Sequence, residues 1–292
     1  MADSKLNKTS PYSGCCAILT TKHAKSVAIA PPFWEGLGMS VLEYPIDTDL
    51  LGTFSGEVER QGNALECVRR KCEMGLDILG NKAEYGIASE GSFGPHPTIP
   101  FLPSDQEIVY FIDRKRGFHL HLMHVSEKTN YQMRSLDSLE ELQKFAESAQ
   151  FPSHALILRP NDKKNYNLIF KGIETQEDLI EAFKESVRHS GDCKAWIETD
   201  MRAQFNPSRM EVIGELADKM AQRLATLCPA CHTPGWGRIR SEKGLRCEYC
   251  DQETQMIAHE IFGCVICNHT EILPRTDRMK AAPQMHCGWC NP

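Results

Sequence analysis

Eight cysteines in the last 65 residues constrain this chain more than anything else in it. They form four Cys-x-x-Cys pairs, Cys228/Cys231, Cys247/Cys250, Cys264/Cys267 and Cys287/Cys290. Zinc has no ligand-field preference and favours four soft thiolates in a tetrahedron, and each Cys-x-x-Cys turn places two sulfurs on one side of an ion. Fifteen residues separate the first pair from the second and nineteen the third from the fourth, which is zinc-ribbon spacing. Cys287-Gly-Trp-Cys290 alone would pass for a redox pair, but redox pairs come singly on a βαβ fold. Apolar residues are sparse between the pairs, so the metal has to replace part of a core. The eight cysteines therefore predict two structural zinc ions, closed to substrate. Sequential pairing gives two stacked ribbons and interleaved pairing a cross-brace, and the two internal gaps favour the sequential form.

The rest of the chain is long enough for an ordinary core. It has 292 residues, 41% hydrophobic and 25% charged, with a net charge of −6, which is unlike a dedicated phosphate-neutralising nucleic-acid binder. Within residues 228–292 seven basic residues meet seven acidic ones, so nucleic acid is a disfavoured partner and a docked protein a better one. There is no run of about 20 apolar residues to span a membrane and no apolar leader at the N-terminus. A cytoplasmic location is the expectation, and a reducing compartment suits thiolate ligands.

Residues 11–205 alternate short apolar runs with helical patterns, which predicts an α/β domain whose mixed sheet has flanking helices. Strands are expected at 14–20, 39–44, 84–89, 107–112, 119–125, 154–159, 167–171 and 194–199, and helices at about 62–79, 138–149 and 176–189. Residues 119–159 and 167–199 read as two similar strand–helix–strand units. Asn206 and Pro207 then open a long connecting helix, 206–227. Its stripe of Met210, Ile213, Ala217, Met220, Leu224 and Leu227 runs straight into Cys228, with no flexible linker before the zinc module at 228–292.

Four polar clusters are candidates for chemistry. Thr20, Lys22 and Lys25 follow the first strand and could hold phosphate. Glu57 lies in the glycine-flanked segment 52–60. Glu90 and His96 sit in Ser89-Glu-Gly-Ser-Phe-Gly-Pro-His-Pro97, read as a strand ending at Glu90 and turning through two glycines. Asp200, Arg202 and Arg209 gather near the start of the long helix, where a free N-terminus attracts anions. One assignment makes Glu57, Glu90 and Asp200 carriers of Mg²⁺, with His96 as proton-transfer group and Lys22, Lys25 and Arg209 on phosphates. It requires Lys22, Lys25 and Glu90 to face one pocket. A surface loop or a structural salt-bridge network explains the same residues without chemistry.

In order, Thr20, Lys25, a helix over 63–74 and Glu90-Gly91 resemble the inosine/xanthosine triphosphate pyrophosphatases, across roughly residues 14–112. Those enzymes have a Thr-x-Asn-x-x-Lys-type loop, and here Lys22 stands at the asparagine. The resemblance implies a Mg²⁺-dependent nucleotide phosphohydrolase. The alternative is a nucleotide-sensing or scaffold protein whose ribbons dock a partner. Over nearly its full length the chain resembles an uncharacterised bacterial family that joins an α/β region to a C-terminal cysteine-rich module. The segments carrying this are 21–25, 52–60, 89–97, 198–203, 206–210 and the final Cys-Gly-Trp-Cys-Asn-Pro.

Overall fold

The computed structural model describes residues 10–47, 62–162, 168–275 and 277–292. The chain divides into two compact units, residues 1–220 and 221–292.

The first unit holds two sheets. In the larger one, β1 (Cys16–Thr20) lies parallel to β2 (Ser40–Tyr44) and to β3 (Tyr85–Pro95). β3 then pairs antiparallel with β4 (Pro103–Asp113), and β4 with β5 (Phe118–Ser126), giving the order β2-β1-β3-β4-β5. This is the mixed sheet expected from the alternating pattern.

Helices cover both faces of this sheet. Helix α2 (Ala64–Leu79) starts at a full capping box, the Asn63 side chain accepting from Glu66 N–H and the Glu66 side chain from Asn63 N–H. Its Val68 and Cys72 pack on Ala88, Ile108 and Tyr110. Helix α1 (Ser26–Leu37) is absent from the expected elements because Pro31 and Pro32 lie inside it. Interior prolines cost about 3 kcal/mol each. Ile29, Phe33 and Leu37, four residues apart and fully buried, offset that cost. Phe33 meets Phe111 from β4, with ring centroids 6.3 Å apart.

The smaller sheet takes β6 (Met133–Leu136), β7 (Leu156–Pro160), β8 (Phe170–Ile173) and β9 (Ala195–Thr199) in the order β6-β9-β7-β8, all antiparallel. Helices α3 (Leu139–Ser148) and α4 (Gln176–Arg188) bury Leu142, Phe145, Leu179 and Phe183 against it. Ser138 and Thr175 cap them, each accepting a backbone N–H three residues on. The two strand–helix–strand units exist, but the first begins at β6. The strand expected at 119–125 is β5 and belongs to the larger sheet.

Helix α5 (Pro207–Ala225) follows. Asn206 caps it as expected, its Oδ1 accepting from Arg209 N–H at 3.0 Å, and its amide nitrogen donates to Asn130 Oδ1 at 2.9 Å. Among the described residues no helix is long and apolar enough to cross a membrane.

The second unit is built on a three-stranded antiparallel sheet that the sequence reading does not contain. Its strands are β10 (Gly237–Lys243), β11 (Ile257–Gly263) and β12 (Thr270–Pro274), in that order. Few apolar side chains are buried here, chiefly Trp236, Leu245 and Ile261, and Trp236 stacks on His269 with centroids 5.4 Å apart.

Candidate functional site

Three of the four Cys-x-x-Cys turns share one local geometry. The N–H of the first cysteine donates to the carbonyl five residues on, Cys228 to Thr233, Cys247 to Gln252 and Cys264 to His269. The residue after the second cysteine is left-handed in two, His232 at φ 56° and Asp251 at φ 58°. Such a turn points both sulfurs inward, and at Cys264 the N–H groups of Ile266 and Cys267 donate to the sulfur at 3.4 Å.

The eight sulfurs form two groups of four, each with its ligand atoms within 4.8 Å of one another. One group is Cys228, Cys231, Cys264 and Cys267, and the other is Cys247, Cys250, Cys287 and Cys290. The pairing is therefore interleaved, which corrects the sequential expectation. The sheet explains why. Gly237 pairs with Gly263, so the turn before β10 and the turn after β11 meet at one end of the hairpin. The second turn lies in the connection at the opposite end, and β12 carries the chain back there to deliver the fourth. Sulfur separations of 3.5 Å (Cys231–Cys264), 3.6 Å (Cys250–Cys287) and 3.7 Å (Cys228–Cys267) fit the ~3.8 Å edge of a tetrahedron with Zn–S bonds of about 2.3 Å. All eight cysteines are free of disulfides. Four thiolates would fill the donor set at each site, so a zinc ion held there would be structural.

The first unit gathers a second set of polar groups, buried at the end of β1 and along β3 and β4. Lys25 precedes α1 and is 4% exposed. Ala24 before it is left-handed at φ 51°, a conformation that costs an L-residue about 1–2 kcal/mol. The Lys25 ammonium donates to Ser89 Oγ at 2.9 Å and to Ser89 O at 3.2 Å. Burial, then the Arg209 guanidinium, push it down to about 7. Arg209 is fully buried, with Nε on Glu107 Oε1 at 2.6 Å, Nη1 on Met201 O at 2.5 Å, and its guanidinium over the Phe93 ring. Asp105 lies two residues before Glu107 on the same face of β4, also fully buried. Burial, then the Glu107 charge, push it up to about 8. Asp105 Oδ1 and Oδ2 and Glu107 Oε2 have no donor among the described groups. A proton held by Asp105 and shared with Glu107 gives that pair the hydrogen bond it otherwise lacks.

The structure separates several residues that the sequence reading placed together. Glu90 does not end a strand, since β3 continues to Pro95. Gly91 lies inside β3, because a Cβ there would overlap Arg209 Nη2 and Glu107 Oε1. Ser89 and Glu90 point to opposite faces, as neighbours on a strand must. Glu90 pairs with Lys71 of α2 at 2.5 Å, while Lys25 reaches Ser89. Lys22 is at the surface and pairs with Asp47 at 2.6 Å. Lys22, Lys25 and Glu90 thus have different hydrogen-bond partners, although the Glu90 charge still acts on Lys25. Thr20 is buried towards α2, where Gly75 leaves room for its hydroxyl. His96 lies in the β3–β4 turn, its Nδ1 accepting from the N–H groups of Thr98 and Ile99.

Asp200 accepts from Arg202 Nε and Nη2 and from the N–H groups of Arg202 and Gly172, so both its oxygens are taken. Arg202 also lies over the Phe205 ring. That pair is a local clamp in the smaller sheet. Glu57 and segment 52–60 lie outside the described residues. Among those described, groups of three or more metal-ligating side chains occur only at the eight cysteines. The sequence reading missed Asp105 and Glu107, although both fall in step with the buried Val109 and Phe111 on β4.

Two outcomes follow from this geometry. Replacing Cys231 and Cys264 together with serine should leave one zinc per chain, and replacing Cys231 and Cys250 together should leave none. Zinc released on denaturation measures both, and sequential pairing would reverse the two results. For Asp105, a folded pKa raised from 3.8 to about 8 gives a stabilising contribution that is complete below about pH 4. It is lost as pH rises through about 8. Wild type should therefore lose about 2–4 kcal/mol relative to Asp105→Asn between pH 5 and about 8.5, at 1.36 kcal/mol per unit. Urea unfolding at both pH values measures this, and parallel pH profiles would contradict it. The comparison isolates Asp105 because Lys25, whose folded pKa is lowered, gains stability from pH 7 to about 10.5 in both proteins.

Comparison with known proteins returns no matching curated protein and no matching solved structure. A family model described as "Domain of unknown function (DUF6671)" matches residues 71–292, which take in the C-terminal part of α2, β3, β4, the Arg209 cap and all eight zinc-type cysteines. By that match over well more than half its length, the chain belongs to the DUF6671 family.

Proposed function

We propose that the first unit binds a small phosphorylated ligand at the Lys25 cluster, and that the two zinc ions are structural. The observation that carries this reading is the set of partners of Lys25. Lys71 has Glu90 and Arg209 has Glu107, whereas among the described residues the buried Lys25 donates only to the two Ser89 oxygens. An amine kept out of water without a carboxylate of its own is partly neutral near pH 7. An anion placed beside it restores the charged form. The location supports the reading, because ligand sites of α/β sheets gather outside the carboxyl ends of parallel strands. The strained Ala24, which aims Lys25 at Ser89, supports it too. The N-terminus of α1 contributes less, since Glu43 already accepts from Ser26 N–H at 3.1 Å.

Binding is favoured over Mg²⁺-dependent hydrolysis. Glu90, Glu107 and Asp200 each already neutralise a cation of the protein, which weakens them as ligands for a metal ion. Asp105 is the carboxylate of the cluster with neither oxygen engaged among the described residues. A hydrolase would have to work through it.

Thermal-shift and calorimetric titrations with ATP, ITP, pyrophosphate and inorganic phosphate test the proposal. At least one of these should stabilise the wild type and fail to stabilise Lys25→Met. Its affinity should fall up to about tenfold per pH unit above 7, because one proton is taken up on binding. No ligand in the panel binding, or equal binding by Lys25→Met, would refute the reading. Product release that needs Mg²⁺ and is lost in Asp105→Asn would replace binding with hydrolysis.

A further inference from the structure

A groove in the second unit lies outside both sites described above. It has a volume of about 1060 Å³ and runs between the 244–246 turn, the ends of β11 and β12, and residues 278–280. Backbone bonds fix its two walls together, Ala282 N–H donating to Arg246 O at 2.7 Å and Gly244 N–H to Met256 O at 3.0 Å. Its floor is apolar, with Leu245, Leu273 and Met279, and its cations are Arg246, Arg275, Arg278 and Lys280.

Among the described residues, no aspartate or glutamate lines the groove. The even charge count of the module thus hides a separation of sign, with four of its seven basic residues on one groove. Arg246 and Arg275 are balanced by Asp251 and Asp277. Arg278 and Lys280 are exposed and have no ion-pair partner among the described residues. Beside the groove, β12 is an edge strand that pairs with β11 alone, and its Ile272 is 64% exposed. An open edge with an apolar, positively charged flank is a template for strand addition.

We propose that this groove docks an extended acidic segment of a partner protein. The segment would run along β12, place apolar side chains on Leu245, Leu273 and Met279, and set its carboxylates against Arg278 and Lys280. The lining favours a peptide over a single-stranded nucleic acid, because it presents the His259 imidazole but no Phe, Tyr or Trp ring on which bases could stack.

The test uses the full-length, zinc-loaded protein and fluorescence anisotropy. The probe is a labelled peptide alternating glutamate with valine, with a glutamine–valine peptide and an oligouridylate as competitors. The glutamate peptide should bind, more weakly at higher salt, and Arg278→Glu with Lys280→Glu should weaken it about tenfold. Both positions are exposed, so zinc content and unfolding temperature should stay unchanged in that variant. No binding, equal binding by the variant, or equal competition by the glutamine peptide would overturn the proposal. Stronger competition by the oligouridylate would overturn it in favour of a phosphate backbone.

Discussion

The first unit turns on one buried ion pair. Arg209 and Glu107 are both fully buried and joined at 2.6 Å, so neither can lose its partner cheaply. Removing one side of such a pair typically costs about 3–5 kcal/mol. Arg209 also holds Met201 O, which follows β9 of the smaller sheet, and lies over Phe93 of the larger one. Its own backbone N–H is taken by the Asn206 cap. A single side chain at the start of α5 thus ties two sheets and a helix together, and β3 accommodates it with a glycine at position 91.

That pair sets the electrostatics around it. With Arg209 held by Glu107, the Lys25 ammonium sits near a fixed positive charge, and the Asp105 carboxyl beside a fixed negative one. Burial first, and these charges second, move both towards their neutral forms. A neutral amine and a neutral acid then coexist in one buried cluster near pH 7. Such pairs occur where an incoming ligand supplies the missing charge. With Glu90 paired to Lys71, the hydrogen-bond partners of Lys25 among the described residues are the hydroxyl and carbonyl oxygens of Ser89.

Much of this was legible in the sequence, for local reasons. Ser138, Thr175 and Asn206 mark helix starts because a cap is chosen within four residues. The strands of the mixed sheet show as apolar runs because both faces are covered. What escaped depends on contacts distant in sequence. Helix α1 is hidden by Pro31 and Pro32, and only the packing of Phe33 on β4 compensates for them. Asp105 and Glu107 look like a charged strand entrance until Arg209, about a hundred residues on, arrives beside them. The eight cysteines announce zinc unaided, yet their spacing misleads about pairing. The residues between the first two pairs contain β10, which carries the chain to the opposite end of the sheet. Exposed, charged β10 gives no apolar alternation to reveal it.

The account rests on Lys25 being a buried amine hydrogen-bonded to no carboxylate among the described residues. Titrating its ε-methylene carbon by NMR in isotopically labelled protein, with Lys25→Met to assign the signal, measures this directly. The account predicts a midpoint of about 7 in the ligand-free protein. A midpoint at the ordinary lysine value of 10.5 would contradict it.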